Sequence, residues 1–66
     1  MNYFICFINS EDLDWCVLET TDIEYAHRVF EDLSAPPGWK MELRCTEEDI
    51  DTYISYILLR YDYSNY

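Results

Sequence analysis

Carboxylates are the side chains that this sequence supplies in greatest number. Two clusters are dense enough to raise acid–base or metal chemistry, Glu11-Asp12-x-Asp14 and Glu47-Glu48-Asp49-x-Asp51. Neither follows a known ligand spacing. A calcium loop needs oxygen donors at alternate positions, a central Gly and a terminal Glu, and the one Gly of the chain, Gly38, lies far from both clusters. The same lone Gly excludes a Gly-rich phosphate cradle. Nucleophilic catalysis requires a thiol or hydroxyl beside a base. The one histidine, His27, sits at the rim of an apolar helical arc and has no Ser, Cys or carboxylate partner assignable by motif. Cys6, Cys16 and Cys45 form no C-x-x-C and no ligand cluster. Cys45 falls on the inward side of its strand, where burial makes a thiol inert, and Cys6 and Cys16 are expected to face each other across a hairpin. The expectation is a protein with no catalytic residue, no metal site and no cofactor.

The elements that position these groups follow from apolar periodicity. Tyr3 to Ile8 is aromatic and β-branched, breaks at Asn9-Ser10-Glu11-Asp12, and resumes as Leu13 to Leu18, which reads as two strands joined by a polar turn. Thr21-Asp22-Ile23-Glu24 has the form of a capping box with Thr21 as the cap. Ile23, Ala26, Val29, Phe30 and Leu33 then fall on one helical face, opposite Glu24, Arg28, Glu31 and Asp32. That helix is expected to end near Ser34, ahead of Pro36-Pro37-Gly38. Trp39 to Thr46 alternates apolar and polar residues without exception, the signature of a strand with one buried and one wet face. Thr46-Glu47-Glu48-Asp49 repeats the cap logic, and Ile50, Tyr53, Ile54, Ile57, Leu58 and Tyr61 form the stripe of a second helix that carries Glu48, Asp51 and Asp62 along one side. Residues 1–66 therefore read as one α+β domain: a three-stranded antiparallel sheet with two helices packed on one face, in the order β-β-α-β-α.

A chain of 66 residues has little apolar area to bury. A dimer that covers the other sheet face or the tyrosine-rich C-terminus would add to it, so the chain is read as a monomer or homodimer. Half the residues are hydrophobic and 18% are aromatic, too apolar for a disordered acidic tail. No apolar run approaches the roughly 18 residues that span a bilayer, and no export signal is present. An odd number of cysteines in an unexported chain favours reduced, buried thiols and a cytoplasmic location.

Charge is the strongest bulk signal: 14 acidic against 4 basic residues, a net of −10. It is distributed in blocks. Residues 1 to 27 carry Glu11, Asp12, Asp14, Glu19, Asp22 and Glu24 with no Lys or Arg, and residues 45 to 59 carry Glu47, Glu48, Asp49 and Asp51, again with no base. Elsewhere Arg28, Lys40 and Arg44 balance Glu31, Asp32 and Glu42, and Arg60 balances Asp62. Such a field repels nucleic acid and anionic lipid and steers the chain toward basic surfaces. Several of the seven tyrosines must be exposed, with Tyr56, Tyr63 and Tyr66 the best candidates for partner contacts.

In size, charge and α+β pattern the whole chain resembles the small acidic proteins of phages and mobile elements, above all anti-CRISPR proteins that mimic nucleic acid, including inhibitors of type I (Cascade) effectors. No motif carries the resemblance, and no residue role transfers through it. It implies a host-defence inhibitor, acting in the bacterial cytoplasm, that blocks target-DNA binding by occupying a basic groove of the effector complex. The acids named above would form its binding surface. A second expectation is an interaction adaptor or antitoxin-like subunit that docks through exposed tyrosines and a free hydrophobic sheet face.

Overall fold

The computed structural model describes residues 1–48 and 53–63, with only the backbone described at Glu48, Tyr53 and Ile54. The elements run β1 (Asn2–Ile8), β2 (Asp14–Thr20), α1 (Ile23–Asp32), β3 (Lys40–Glu48) and β4 (Tyr53–Asp62). The strands form one antiparallel sheet in the order β2-β1-β3-β4. Because β1 runs against both β2 and β3, those two share a direction, and α1 carries the chain across β1 between them.

Local chemistry explains the first three elements. Asn9 closes the β1–β2 turn: its Oδ1 accepts from the Glu11 and Leu13 amides at 2.9 and 3.0 Å, and Asp12 takes a left-handed φ of 64°. Asp tolerates that conformation better than most side chains. The helix is capped by Asp22 rather than Thr21, since Asp22 Oδ1 accepts from the amides of Glu24 and Tyr25 at 3.0 and 3.2 Å. The cap is thus displaced by one residue, which puts Tyr25 rather than Glu24 at the third helical position and leaves no capping box, and the helix ends at Asp32, two residues before Ser34. Beyond it, Pro36-Pro37-Gly38-Trp39 forms a turn closed by Trp39 N–H to the Pro36 carbonyl at 3.1 Å. Gly38 occupies its third position at φ 87°, where side-chain-bearing residues are strained.

One face of the sheet carries the core. Ile5, Met41 and Leu43 are buried against Ala26 and Phe30 of α1 and against Ala35, with Tyr3, Phe7, Leu18, Val29, Leu33 and Trp39 packed around them. The inward helical residues match the expected arc, apart from an exposed Ile23.

The expected second helix is overturned. The segment from Tyr53 to Asp62 is a ten-residue strand on the open edge of β3, so the sheet has four strands and the described residues form one helix. Thr46, Glu47 and Glu48, read as its cap, belong to β3. Glu48 pairs with Tyr53 and Asp62 with Lys40, which places the supposed acidic helix side at opposite ends of a hairpin. The physical cause is twofold. Tyr53, Ile54, Tyr56, Ile57 and Tyr61 have high strand preference, and pairing satisfies backbone groups that β3 would otherwise leave open. The register shift between Leu43 and Arg44, which sets Leu59 and Ile57 opposite them and leaves Leu58 extra, breaks strict alternation in the sequence.

Candidate partner-binding surfaces

The sheet face away from α1 was expected to be either wet or hydrophobic, and it is neither. Register puts Phe4, Cys6 and Ile8 of β1, Asp14 and Cys16 of β2, Glu42 and Arg44 of β3, and Arg60 of β4 on this side. Glu42 is only 3% exposed, and its two oxygens are both engaged. Arg44 donates through Nε and Nη2 to Oε1 at 2.8 Å each, while Arg60 donates through Nε and Nη2 to Oε2 at 2.8 and 2.6 Å. Arg44 Nη1 continues to Asp14 Oδ2 at 3.0 Å. The chain Asp14–Arg44–Glu42–Arg60 therefore crosses the sheet from one edge strand to the other. The pairing of Arg60 with Glu42, rather than with neighbouring Asp62 alone, depends on strand register and has no local sequence signal.

Burial presses the Glu42 carboxyl upward, but the hydrogen bonds and charges of Arg60 and Arg44 outweigh it and hold Glu42 below the usual carboxylate range. Burial likewise opposes the charge on Arg44, and its bonds to Glu42 and Asp14 prevail, keeping its pKa above the ordinary guanidinium value. Thr46 is also buried on this side, so β3 has two covered faces. A central strand lying under two long arginine side chains does not remain wet.

Cys6 and Cys16 sit opposite each other as expected, and all three cysteines are free thiols. Cys16 is exposed, contrary to the expectation of buried thiols, because it lies on the outer strand β2. Burial pushes the Cys6 thiol up against the pull of Arg44, so it is not poised as a nucleophile. Among the described residues no cluster of three or more His, Cys, Asp and Glu is placed to hold a metal ion. No helix of the described residues is long and apolar enough to cross a membrane.

The first acid block is exposed along the β2 edge but is divided between the two faces of the sheet, with Asp14 and Glu19 on the face away from α1. Glu11 and Asp12 lie on the β1–β2 turn, Asp14 and Glu19 on β2, and Asp22 and Glu24 at the start of α1, all of them exposed. Two are committed: Asp14 to Arg44 and Asp22 to capping the helix. Glu11, Asp12, Glu19 and Glu24 stand free of ion pairs among the described residues. The second block is not described as a surface. Glu47 is exposed near the end of β3, whereas the side chain of Glu48 and all of Asp49 and Asp51 lie outside the described residues.

Aromatic exposure also differs from expectation. Tyr56 is exposed, but Tyr63 packs against the core and exchanges backbone hydrogen bonds with Gly38 and Trp39, and Tyr66 lies outside the described residues. Trp15, Tyr25 and Tyr61 are exposed as well, with no local sequence signal for it. Trp15 stacks on Trp39 at 5.3 Å between ring centroids and Tyr61 on Phe30 at 5.6 Å. Trp15 and Tyr61 are exposed because β2 and β4 are the two edges of the sheet, whereas Tyr25 lies on the helix. Comparison with family models, curated proteins and solved structures found no match to this chain.

Proposed function

We propose that this chain is a non-catalytic inhibitor whose acidic β2 side mimics a nucleic-acid strand and occupies a Lys/Arg-lined groove of a larger nucleic-acid-binding complex. A CRISPR effector of the Cascade type is the target class that its resemblance to anti-CRISPR proteins brings forward. One observation carries the reading: six exposed carboxylates follow the turn, the strand and the helix start, residues 1 to 27 contain no Lys or Arg, and among the described residues only Asp14 is ion-paired, to Arg44. A strand advances about 3.4 Å per residue, so β2 spans about 20 Å, a length over which one DNA strand carries about six phosphates. Within that span β2 itself carries Asp14 and Glu19, flanked by Glu11 and Asp12 on the turn and Asp22 and Glu24 at the helix start, so the acids are sparser than phosphates and binding depends on matching a groove rather than on charge alone.

The test is competition between the protein and a labelled DNA duplex for a purified effector complex, followed by fluorescence anisotropy at low and high salt. Displacement of DNA at low salt that weakens steeply as salt rises is the expected result. The triple reversal Glu11→Lys, Glu19→Lys, Glu24→Lys should abolish it while leaving the circular dichroism spectrum unchanged. Undiminished displacement by that variant sinks the mimicry.

The adaptor reading retains one specific support, the Trp15–Trp39 stack with Trp15 half exposed beside Leu13 and Val17. It requires salt-insensitive binding that is lost in Trp15→Ala. Its original basis, a free hydrophobic sheet face, is replaced by the Glu42 ion-pair chain.

A further inference from the structure

Among the described residues, edge strand β4 is the least defended part of the sheet. Tyr56, Ile57, Leu58, Leu59 and Tyr61 are each between 39 and 57% exposed, and no described strand pairs with its outer side. Helix α1 packs over β1, β2 and β3 without backbone-level contact to β4, and reaches it through the Phe30 ring on Tyr61. A long, apolar, uncovered edge is a template for a further strand.

We propose that the occupant of this edge is a second copy of the chain, its β4 pairing antiparallel with the first across a twofold axis to make one continuous eight-stranded sheet. Charge supports this choice. Residues 53 to 62 contain one Arg and one Asp and no other charge, so β4 is a neutral strip on a molecule of net charge −10. Strands lie about 4.8 Å apart, which puts the acidic β2 about 14 Å from β4 and the two β2 strands of the pair about 34 Å apart, beyond the roughly 8 Å screening length at physiological salt. Antiparallel pairing also sets the Glu47 end of each copy beside the Arg60 end of the other and away from its counterpart. The exposed side chains flank the open edge on both faces of the sheet, so pairing sets each against a counterpart across the axis in addition to the backbone ladder. A twofold contact uses the same patch on both copies, as a single self-complementary edge requires.

Sedimentation equilibrium from about 1 μM to about 1 mM tests the pairing. The mass should rise from the 8.0 kDa of one chain to twice that value, at lower concentration as salt increases. That salt dependence is opposite to the one expected of groove binding, so either idea can fail alone. Ile57→Lys with Leu58→Lys should keep the chain at monomer mass, whereas Val17→Lys on the other edge should leave the dimer intact. Hydrogen exchange on the wild type provides a readout that no variant can confound, since alternate β4 amides should gain protection as concentration rises. A wild type that remains monomeric at the highest concentration, a Lys pair that still dimerises, or β4 exchange independent of concentration overturns the proposal.

Discussion

The two edges of the sheet handle exposure in opposite ways. Strand β2 carries Asp14 and Glu19, is followed by the acids of the helix start, and is irregular where the register shift between Ile5 and Cys6 leaves Val17 extra. Charge and a bulge both discourage a further strand. Helix α1 also packs over it. Strand β4 is longer and nearly neutral, and beyond its ladder with β3 it is held by the Tyr61–Phe30 stack and by two hydrogen bonds from Arg60 to Glu42. The one helix of the described residues does not cover all four strands. The chain protects one edge by repulsion and leaves the other adhesive.

The largest expected effect comes from Phe30→Ala, because Phe30 is fully buried and is also the residue through which α1 touches β4. Removing a buried Phe costs about 3–5 kcal/mol, comparable with the whole stability of a chain this size. Urea titration should find the variant largely unfolded. A folded variant with only β4 loosened would show that the helix is anchored independently on the β2 side.

Glu42→Gln should cost about 2 kcal/mol, since it leaves Arg44 and Arg60 without their shared counter-charge. This loss depends on pH. Glu42 is held below the usual carboxylate range in the folded chain, so its contribution is complete above the unfolded value of about 4.3 and drains away as pH falls through the lower folded value. Urea melts from neutral to acid pH should therefore show the gap between wild type and Glu42→Gln closing below about pH 4. A gap of constant size would mean that packing, not charge, is what Glu42 contributes.

The smallest effect sharpens the contrast between the edges. Arg60→Ala removes two bonds to a buried carboxylate and should cost about 1 kcal/mol, whereas Asp14→Ala removes one exposed bond and should cost less than about 0.5 kcal/mol. Equal losses in thermal denaturation would show that the ion-pair chain ties both edges alike.

Local signals made a good part of this fold legible. The hairpin of β1 and β2, the Asn9 turn, the inward face of α1, the Pro-Pro-Gly turn and the alternation of β3 all rest on contacts between residues close in sequence, and each appears within one or two residues of its expected position. The exposure of the acids of residues 11 to 24 was legible for the same reason, since each lies on a turn, an edge strand or a helix start. The polarity of the far face was hidden because Glu42, Arg44, Arg60 and Asp14 meet only through strand register. Tyr63 was misjudged because a residue at the end of a strand turns inward or outward according to what the neighbouring turn offers it.

The sequence by itself determined the charge, the first hairpin, the helix and β3, through patterns that span a few residues and stabilise themselves locally. The last strand was decided by tertiary structure. The run from Tyr53 to Tyr61 satisfies a helical stripe as readily as a bulged strand, and no property of the run alone separates the two. What selects the strand is the open edge of β3, whose backbone groups need partners and whose Glu42 draws Arg60 into register. From that choice follow the Glu42 ion-pair chain, the uncovered apolar edge and the surface available to a second molecule.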